Sequence, residues 1–386
     1  MTAYYLSGTP KNDAFQWLEN KFTDHRLFSI HGGYLRDVLR WLRDVKEGIV
    51  SVDAFLDRYP AQRSGIEAKD RIRRQRQAEQ KDDRDFDTIE VLRAAYPMAS
   101  TYPRNIMLDS GAFTVWNAGK RVSVEEVVDA YSTFLDAAGD LFENVWLVNL
   151  DEIPGEARKN GKKPPTTAEQ MREAAEIADR HLAILRERFG PVVLPVIHQP
   201  EGQDRLEQVI EQVAGRGDFI CISPDNDLPE RERIAWAREI RDAAARIAPD
   251  VRLHGLATTG NVMSNGFGYY SVDSLAWLQH ALYGSLDLYE SVAKPDGSTV
   301  VRYGSYHVGL ERDSYDVLTG ERIPGRKASF WNLTDDERAF VRAACERYPF
   351  PFEMVQWSER ARSLVNMGEL GCFTCWEGGR LIPQAA

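Results

Sequence analysis

Asn105-Ile106-Met107-Leu108-Asp109-Ser110-Gly111-Ala112-Phe113 is the stretch on which the fold turns. Ile106 to Leu108 is a short apolar run of the kind that makes a buried strand. It ends in a carboxylate, Ser110-Gly111-Ala112 lets the backbone turn sharply, and Phe113 adds a flat apolar ring. A carboxylate at the carboxyl end of a buried strand, with small residues after it and an aromatic beside it, suits the floor of a pocket for a planar ligand. The competing reading is an Asp that caps the following helix. Recurrence along the chain decides between them.

Strand-like runs also end at Asp151 (from Val145), His198 (from Val192), Ser223 (from Phe219), Leu256 (from Val251) and Asp273 (from Tyr269). Helix-like stretches separate them: Ser123 to Ala138, Thr167 to Phe189, Leu206 to Ala214 and Pro229 to Ile247. Two earlier strands, Ala3 to Gly8 and Leu27 to His31, flank a helical stretch from Ala14 to Phe22 and bring the strand count to eight. Such alternation predicts an α/β protein built on a (β/α)8 TIM barrel, in which chemistry sits at the carboxyl ends of the strands. Those ends carry Asp109, Asp151, His198, Gln199, His254 and Asp273, a polar ring that is costly to bury without purpose. His31, before Gly32-Gly33, joins the ring by the same logic.

The barrel is expected over 1–295, with a charged helical insertion at about 63–87, and residues 296–386 as a C-terminal α+β appendage packed on the barrel. The insertion reads either as a solvated helix or as a segment that presents Arg63, Arg71, Arg73, Arg74 and Arg76 to phosphates. In the appendage, a Tyr/Gly-rich strand (Val301 to Val308) precedes a Gly/Pro turn at Thr319 to Gly325 and helices over Thr334–Arg347 and Met354–Met367. No apolar run reaches the roughly 20 residues of a membrane span, so no membrane partner is expected. The N-terminus lacks the basic start and cleavage site of a signal peptide, and four cysteines make no disulfide framework, so a reducing cytoplasm is expected. The net charge of −11 argues against a general nucleic-acid coat but leaves room for a local basic face. Cys372 and Cys375 have metal-ligand spacing, yet with Cys345 and His307 they make an untidy set, and no metal or other cofactor is assigned.

Leu108-Asp109-Ser110-Gly111-Ala112-Phe113 resembles the D-S-G-G-[FY] signature of the tRNA-guanine transglycosylase superfamily. Asn149 to Pro154 resembles its second acidic strand end, Pro195 to Gln199 its V-Q-G strand, His254 to Ala257 its G-L-A segment, and Ser271 to Ser274 the strand of its nucleophilic Asp. The order is right over roughly 100–290. Two departures stand out: Ala112 replaces a Gly, and the zinc motif C-x-C-x-x-C is missing. These variants, with no terminal RNA-binding domain, look more like the DpdA-type DNA transglycosylases of phages and bacteria, which replace guanine in DNA with a 7-deazaguanine such as preQ0.

The resemblance implies Asp273 as nucleophile and Asp109 as the group that shuttles a proton to the leaving base and from the incoming one. It implies Asp151 as the partner of the base's N1–H and exocyclic amine, Gln199 or His198 as reader of the O6 edge, and the amides of Gly255 and Leu256 as facing the 7-substituent. Phe113, beside Ser110, would stack on the purine. Arg158, Lys159, Lys162 and Lys163 read either as phosphate grips or as a solvated basic loop. His198 and His254 read either as functional groups or as satisfied core histidines. The expected partners are DNA and a preQ0-like base, with tRNA as the alternative substrate and a non-catalytic scaffold subunit as the alternative role; the oligomeric state is left open.

Overall fold

The structure is a computed structural model that describes residues 3–7, 24–31, 34–49, 51–79, 87–95, 103–155, 166–213, 219–225, 227–258, 269–293, 295, 297, 299–309, 330, 333–348, 351–374, 376–377 and 380–381. The expected helix at 14–22, Gly32-Gly33, the basic cluster Arg158, Lys159, Lys162 and Lys163, the 319–325 turn, and the side chains of Arg76, Cys372 and Cys375 lie outside the described residues.

In chain order come β1 (Ala3–Ser7), β2 (His25–Ser29), α1 (Tyr34–Lys46), α2 (Val52–Arg58), α3 (Pro60–Glu79), α4 (Thr88–Ala95), β3 (Asn105–Asp109), α5 (Ala112–Asn117) and α6 (Val124–Ala138). They are followed by β4 (Asn144–Val148), α7 (Ala168–Phe189), β5 (Val193–Leu194), β6 (Val196–His198), α8 (Gln203–Val213), β7 (Phe219–Ser223), α9 (Glu230–Ile247), β8 (Arg252–Gly255) and β9 (Ser271–Ser274). The expected helix starts hold because the caps are in the sequence: Ser123 with Glu126 and Thr167 with Gln170 form reciprocal capping boxes at α6 and α7.

β1 to β9 form one parallel sheet in the order β5-β4-β3-β2-β1-β9-β8-β7-β6. The segments at its two ends, β5 and β6, are separated in the chain only by Pro195, so the sheet curls into a nearly closed, barrel-like ring. The single strand expected over 192–198 is therefore two segments. β5 pairs with β4 and β6 pairs with β7. Proline has no N–H to give the ladder, which breaks it there, while its carbonyl still accepts from the Cys221 amide at 2.9 Å.

Strand alternation sorts the side chains into two apolar layers. Tyr4, Leu6, Phe28, Ile106, Leu108, Leu147, Ile197, Ile220, Ile222 and Val272 face outward and pack under the helices. Tyr5, Leu27, Met107, Val148, Val196, Phe219 and Cys221 point into the ring. At one end of the lumen Arg252 lies between the rings of Trp146, Phe219 and Tyr270, at 4.9 to 5.2 Å from their centres. The same two-residue period that points Tyr5, Met107 and Cys221 inward also points Ser29, Asp109, His198, Ser223 and Asp273 inward near the opposite, carboxyl end.

The chain continues with α10 (Ala276–Leu282), β10 (Ser285–Ala293), β11 (Thr299–His307), α11 (Asp335–Cys345), α12 (Phe352–Trp357), α13 (Glu359–Thr374), β12 (Trp376–Glu377) and β13 (Arg380–Leu381). β10 and β11 form an antiparallel hairpin that spans residue 295. The one helix expected over 354–367 is two, parted at Ser358, whose backbone is extended. α13 packs on α10 and β10 through buried polar side chains. Asn366 accepts from the Asp287 amide and donates to the Trp277 carbonyl, and Arg362 donates to the carbonyls of Ala281, Val355 and Gln356. In the insertion, Arg63, Lys69, Arg73 and Arg74 each lie beside an acid: Asp57, Glu359, Asp70 and Asp87. Among the described residues, no helix is long and apolar enough to cross a membrane.

Candidate active site

Asp109 ends β3. Its position is set by the turn that follows, where Gly111 has φ +80° and a Cβ would fall 2.3 Å from the Cβ of His31. Only glycine fits this turn, since both the left-handed backbone and the close approach exclude a side chain. His31 is thereby drawn against Gly111. The carboxyl of Asp109 is raised from 3.8 to about 7, chiefly by burial, then by the charges of Asp151 and Asp273. The Gly111 amide and the nearby Ser29 hydroxyl pull the other way. Asp151 and Asp273, far from Asp109 in the chain, thus each lie close enough to act on it.

Asp273 is buried in β9, opposite Tyr5 of β1. Its Oδ1 accepts from His254 Nε2 at 3.2 Å and from the Ala257 amide at 3.1 Å. No described residue donates to Oδ2. The Ala257 amide reaches Oδ1 because the chain folds back after β8. A Cβ on Gly255 would meet Thr258 at 2.8 Å, and Ala257 itself takes a left-handed φ of +48°. Among the described residues, Ala257 is the one non-glycine with positive φ, a strained backbone of the kind found at functional sites. The Thr258 amide donates to the Asp273 carbonyl at 2.9 Å and closes the turn.

Asp151 sits just beyond β4. The His181 ring bonds the carbonyl of Leu150 at 2.9 Å and Asn149 donates to Ala178, so α7 fixes this exit loop. From α6 the buried Tyr131 hydroxyl reaches the carbonyls of Val148 at 2.6 Å and Leu108 at 3.1 Å, which ties the ends of β3 and β4 together. Asp151 Oδ2 accepts from His198 Nε2 at 2.6 Å. The His198 amide in turn donates to Glu201, a carboxyl raised by burial, which outweighs the opposing pull of His198 and Arg205. His198 is therefore part of the cluster.

Ser110 is buried in the β3 turn and accepts from the Ala112 amide at 3.4 Å. Phe113 opens α5 with 61% of its surface exposed, tilted against Trp116 at 6.0 Å, so an apolar ring is free at this end of the sheet. Two expectations need correction. Gln199 does not join the cluster: its amide donates to the Glu232 carbonyl and accepts from the Asp225 amide, which spans the loop into α9. The Leu256 amide does not face a ligand either, because it donates to the Ile222 carbonyl at 2.8 Å and extends the ladder to β7. Gly255 stays within β8, in register with Ile222 and Val272. The backbone donor that faces Asp273 is Ala257, which the sequence reading missed. A small residue just past a glycine at a strand end was the available signal.

Among the described residues no group of His, Cys, Asp or Glu could hold a metal ion. Cys345 is a free, buried thiol whose pKa is pushed up to about 12 by burial. No protein-family model and no curated protein matches this chain. The cluster's chemistry therefore rests on its own geometry: an acid that holds a proton near neutrality, a second acid gripped among the described residues by one oxygen, and a third paired with a histidine.

Proposed function

We propose that this chain is a transglycosylase that exchanges guanine in DNA for a 7-deazaguanine base, built on a (β/α)8 barrel in which residues 193–198 count as one strand interrupted by Pro195. The observation that carries the proposal is the pairing of Asp109, raised to about 7, with Asp273, whose Oδ2 has no donor among the described residues. Base exchange needs both: a group that gives a proton to the leaving base and takes one from its replacement, and an anion beneath the sugar carbon.

Asp273 Oδ2 forms a bond to C1′ as the C1′–N9 bond breaks, and the leaving guanine takes the proton of Asp109. The incoming base then gives its own N9 proton to Asp109 as it displaces Asp273. Two inversions restore the original configuration. Asp151, oriented by His198, accepts the N–H donors of the base edge, and Phe113 stacks on its face. With Gln199 and Leu256 committed elsewhere, recognition of the base falls to Asp151 and His198. The base must leave the helical stack, at a cost of roughly a few kcal/mol.

The test is nucleoside mass spectrometry of DNA from cells that express the chain beside a preQ0 pathway, joined to exchange of labelled guanine or preQ0 into duplex DNA or tRNA in vitro. A deazaguanine nucleoside in DNA, lost in Asp273→Ala while DNA binding persists, supports the proposal. Incorporation into tRNA alone refutes the DNA assignment, and exchange that survives in Asp273→Ala refutes the covalent route.

A further inference from the structure

We propose that His254, anchored by Ser271, is a positioning residue that assigns separate roles to the two oxygens of Asp273; this deepens the transglycosylase reading and rests on it. His254 is fully buried, edge-on between the rings of Tyr5 at 5.6 Å and Phe219 at 6.0 Å, so its imidazole is clamped in one plane. β8 and β9 are in register with His254 beside Ser271, and Ser271 and Asp273 share the inward face of β9. The ring therefore bridges its neighbours: Nδ1 meets Ser271 Oγ at 2.8 Å and Nε2 meets Asp273 Oδ1 at 3.2 Å. An ionised carboxylate only accepts, so Nε2 carries the proton that faces Asp273, while the serine hydroxyl serves Nδ1.

A histidine that merely satisfied its own nitrogens in a core would need no more than this. The Ala257 amide adds a second donor to the same oxygen, delivered by a strained backbone, while no described residue serves Oδ2. Two donors converge on Oδ1, so that oxygen is held and Oδ2 is aimed. When Oδ2 bonds to C1′, Oδ1 becomes the carbonyl oxygen of the glycosyl ester. When the incoming base displaces the ester, the C1′–Oδ2 electron pair returns to Asp273 and both donors stabilise the carboxylate as it departs. Loss of the His254 donor thus slows release from the ester more than its formation, and the covalent species accumulates.

The experiment compares wild type with His254→Ala, His254→Gln and Ser271→Ala, all full-length. It measures single-turnover and steady-state exchange on duplex DNA, and the fraction of enzyme trapped as a DNA adduct. In His254→Ala we expect kcat to fall about 10- to 100-fold, KM for DNA to fall with it as the covalent species accumulates, and the trapped fraction to rise. His254→Gln, whose amide can present an N–H in place of Nε2, recovers most of the rate, and Ser271→Ala shows a weaker form of the same defect. A kcat within about 2-fold of wild type in His254→Ala, or a trapped fraction that does not rise, overturns the proposal. A second arm needs no activity: nitrogen-15 NMR of imidazole-labelled wild type and Asp273→Asn. A protonated Nε2 resonance that shifts in Asp273→Asn supports the contact, and an Nε2 signal indifferent to that change overturns it. If wild type catalyses no exchange on any nucleic acid, the transglycosylase reading falls, and the NMR arm still decides whether His254 grips Asp273.

Discussion

Asp109→Asn should make the protein more stable above neutral pH. In the folded state the Asp109 carboxyl is raised from 3.8 to about 7 by burial and by the neighbouring acids. The unfolded chain ionises it from about pH 4 upward. Between those values the folded protein holds a proton that the unfolded chain has lost, so stability falls as pH rises through this window, and the full penalty is present above about pH 7. At about 1.4 kcal/mol per tenfold change in proton affinity, the rise amounts to about 4 kcal/mol. Asparagine cannot ionise and escapes it, though its own partly buried amide costs some of the gain, leaving about 2–4 kcal/mol. Urea unfolding of both proteins at pH 4, 6 and 8 measures the effect, with the gain largest at pH 8 and gone by pH 4. Equal stability at pH 8, or a gain independent of pH, would refute the claim that crowded acids strain this end of the sheet.

The same titration governs the proposed exchange: Asp109 must hold a proton to give it to the leaving base, so the first half-reaction should slow as pH rises above about 7, read as a pH profile of single-turnover rates. Gly111→Ala sets a Cβ 2.3 Å from His31 Cβ in a left-handed turn and should cost about 2–5 kcal/mol in chemical denaturation. Tyr131→Phe leaves the carbonyls of Leu108 and Val148 without their shared hydroxyl and should cost about 1–3 kcal/mol. Phe113→Ala, at an exposed position, should leave the melting temperature within about 2 °C while raising KM for the free base several-fold.

Strand positions were legible in the sequence because buried parallel strands are short apolar runs between helices with plain caps, and Asp109 and Asp273 could be assigned to strand ends from that alone. The break at Pro195 was also written there, since a residue without an N–H cannot sit in a continuous ladder, but the apolar run around it masked the signal. The fates of Gln199 and Leu256 were not legible. A side-chain amide bonds whichever backbone lies nearest, and the loop at Asp225 came within its reach only through packing. The donors on Asp273 escaped notice for a similar reason: His254 meets it through sheet register, and Ala257 through a strained turn of which the preceding glycine gave only a faint local sign.

The arginine lodged among three aromatic rings lies at the end of the sheet away from the acids. In the proposed exchange both bases reach the acids from the carboxyl-end side of the strands, where those acids lie. For the proposed exchange this imposes an order of traffic: the displaced purine must clear the threshold before its successor can enter, so either free base in excess should compete with the other for the vacated sugar-bound enzyme. Reversibility and mutual inhibition by the two bases would then be built into the architecture, and the direction of net exchange would follow their relative abundance.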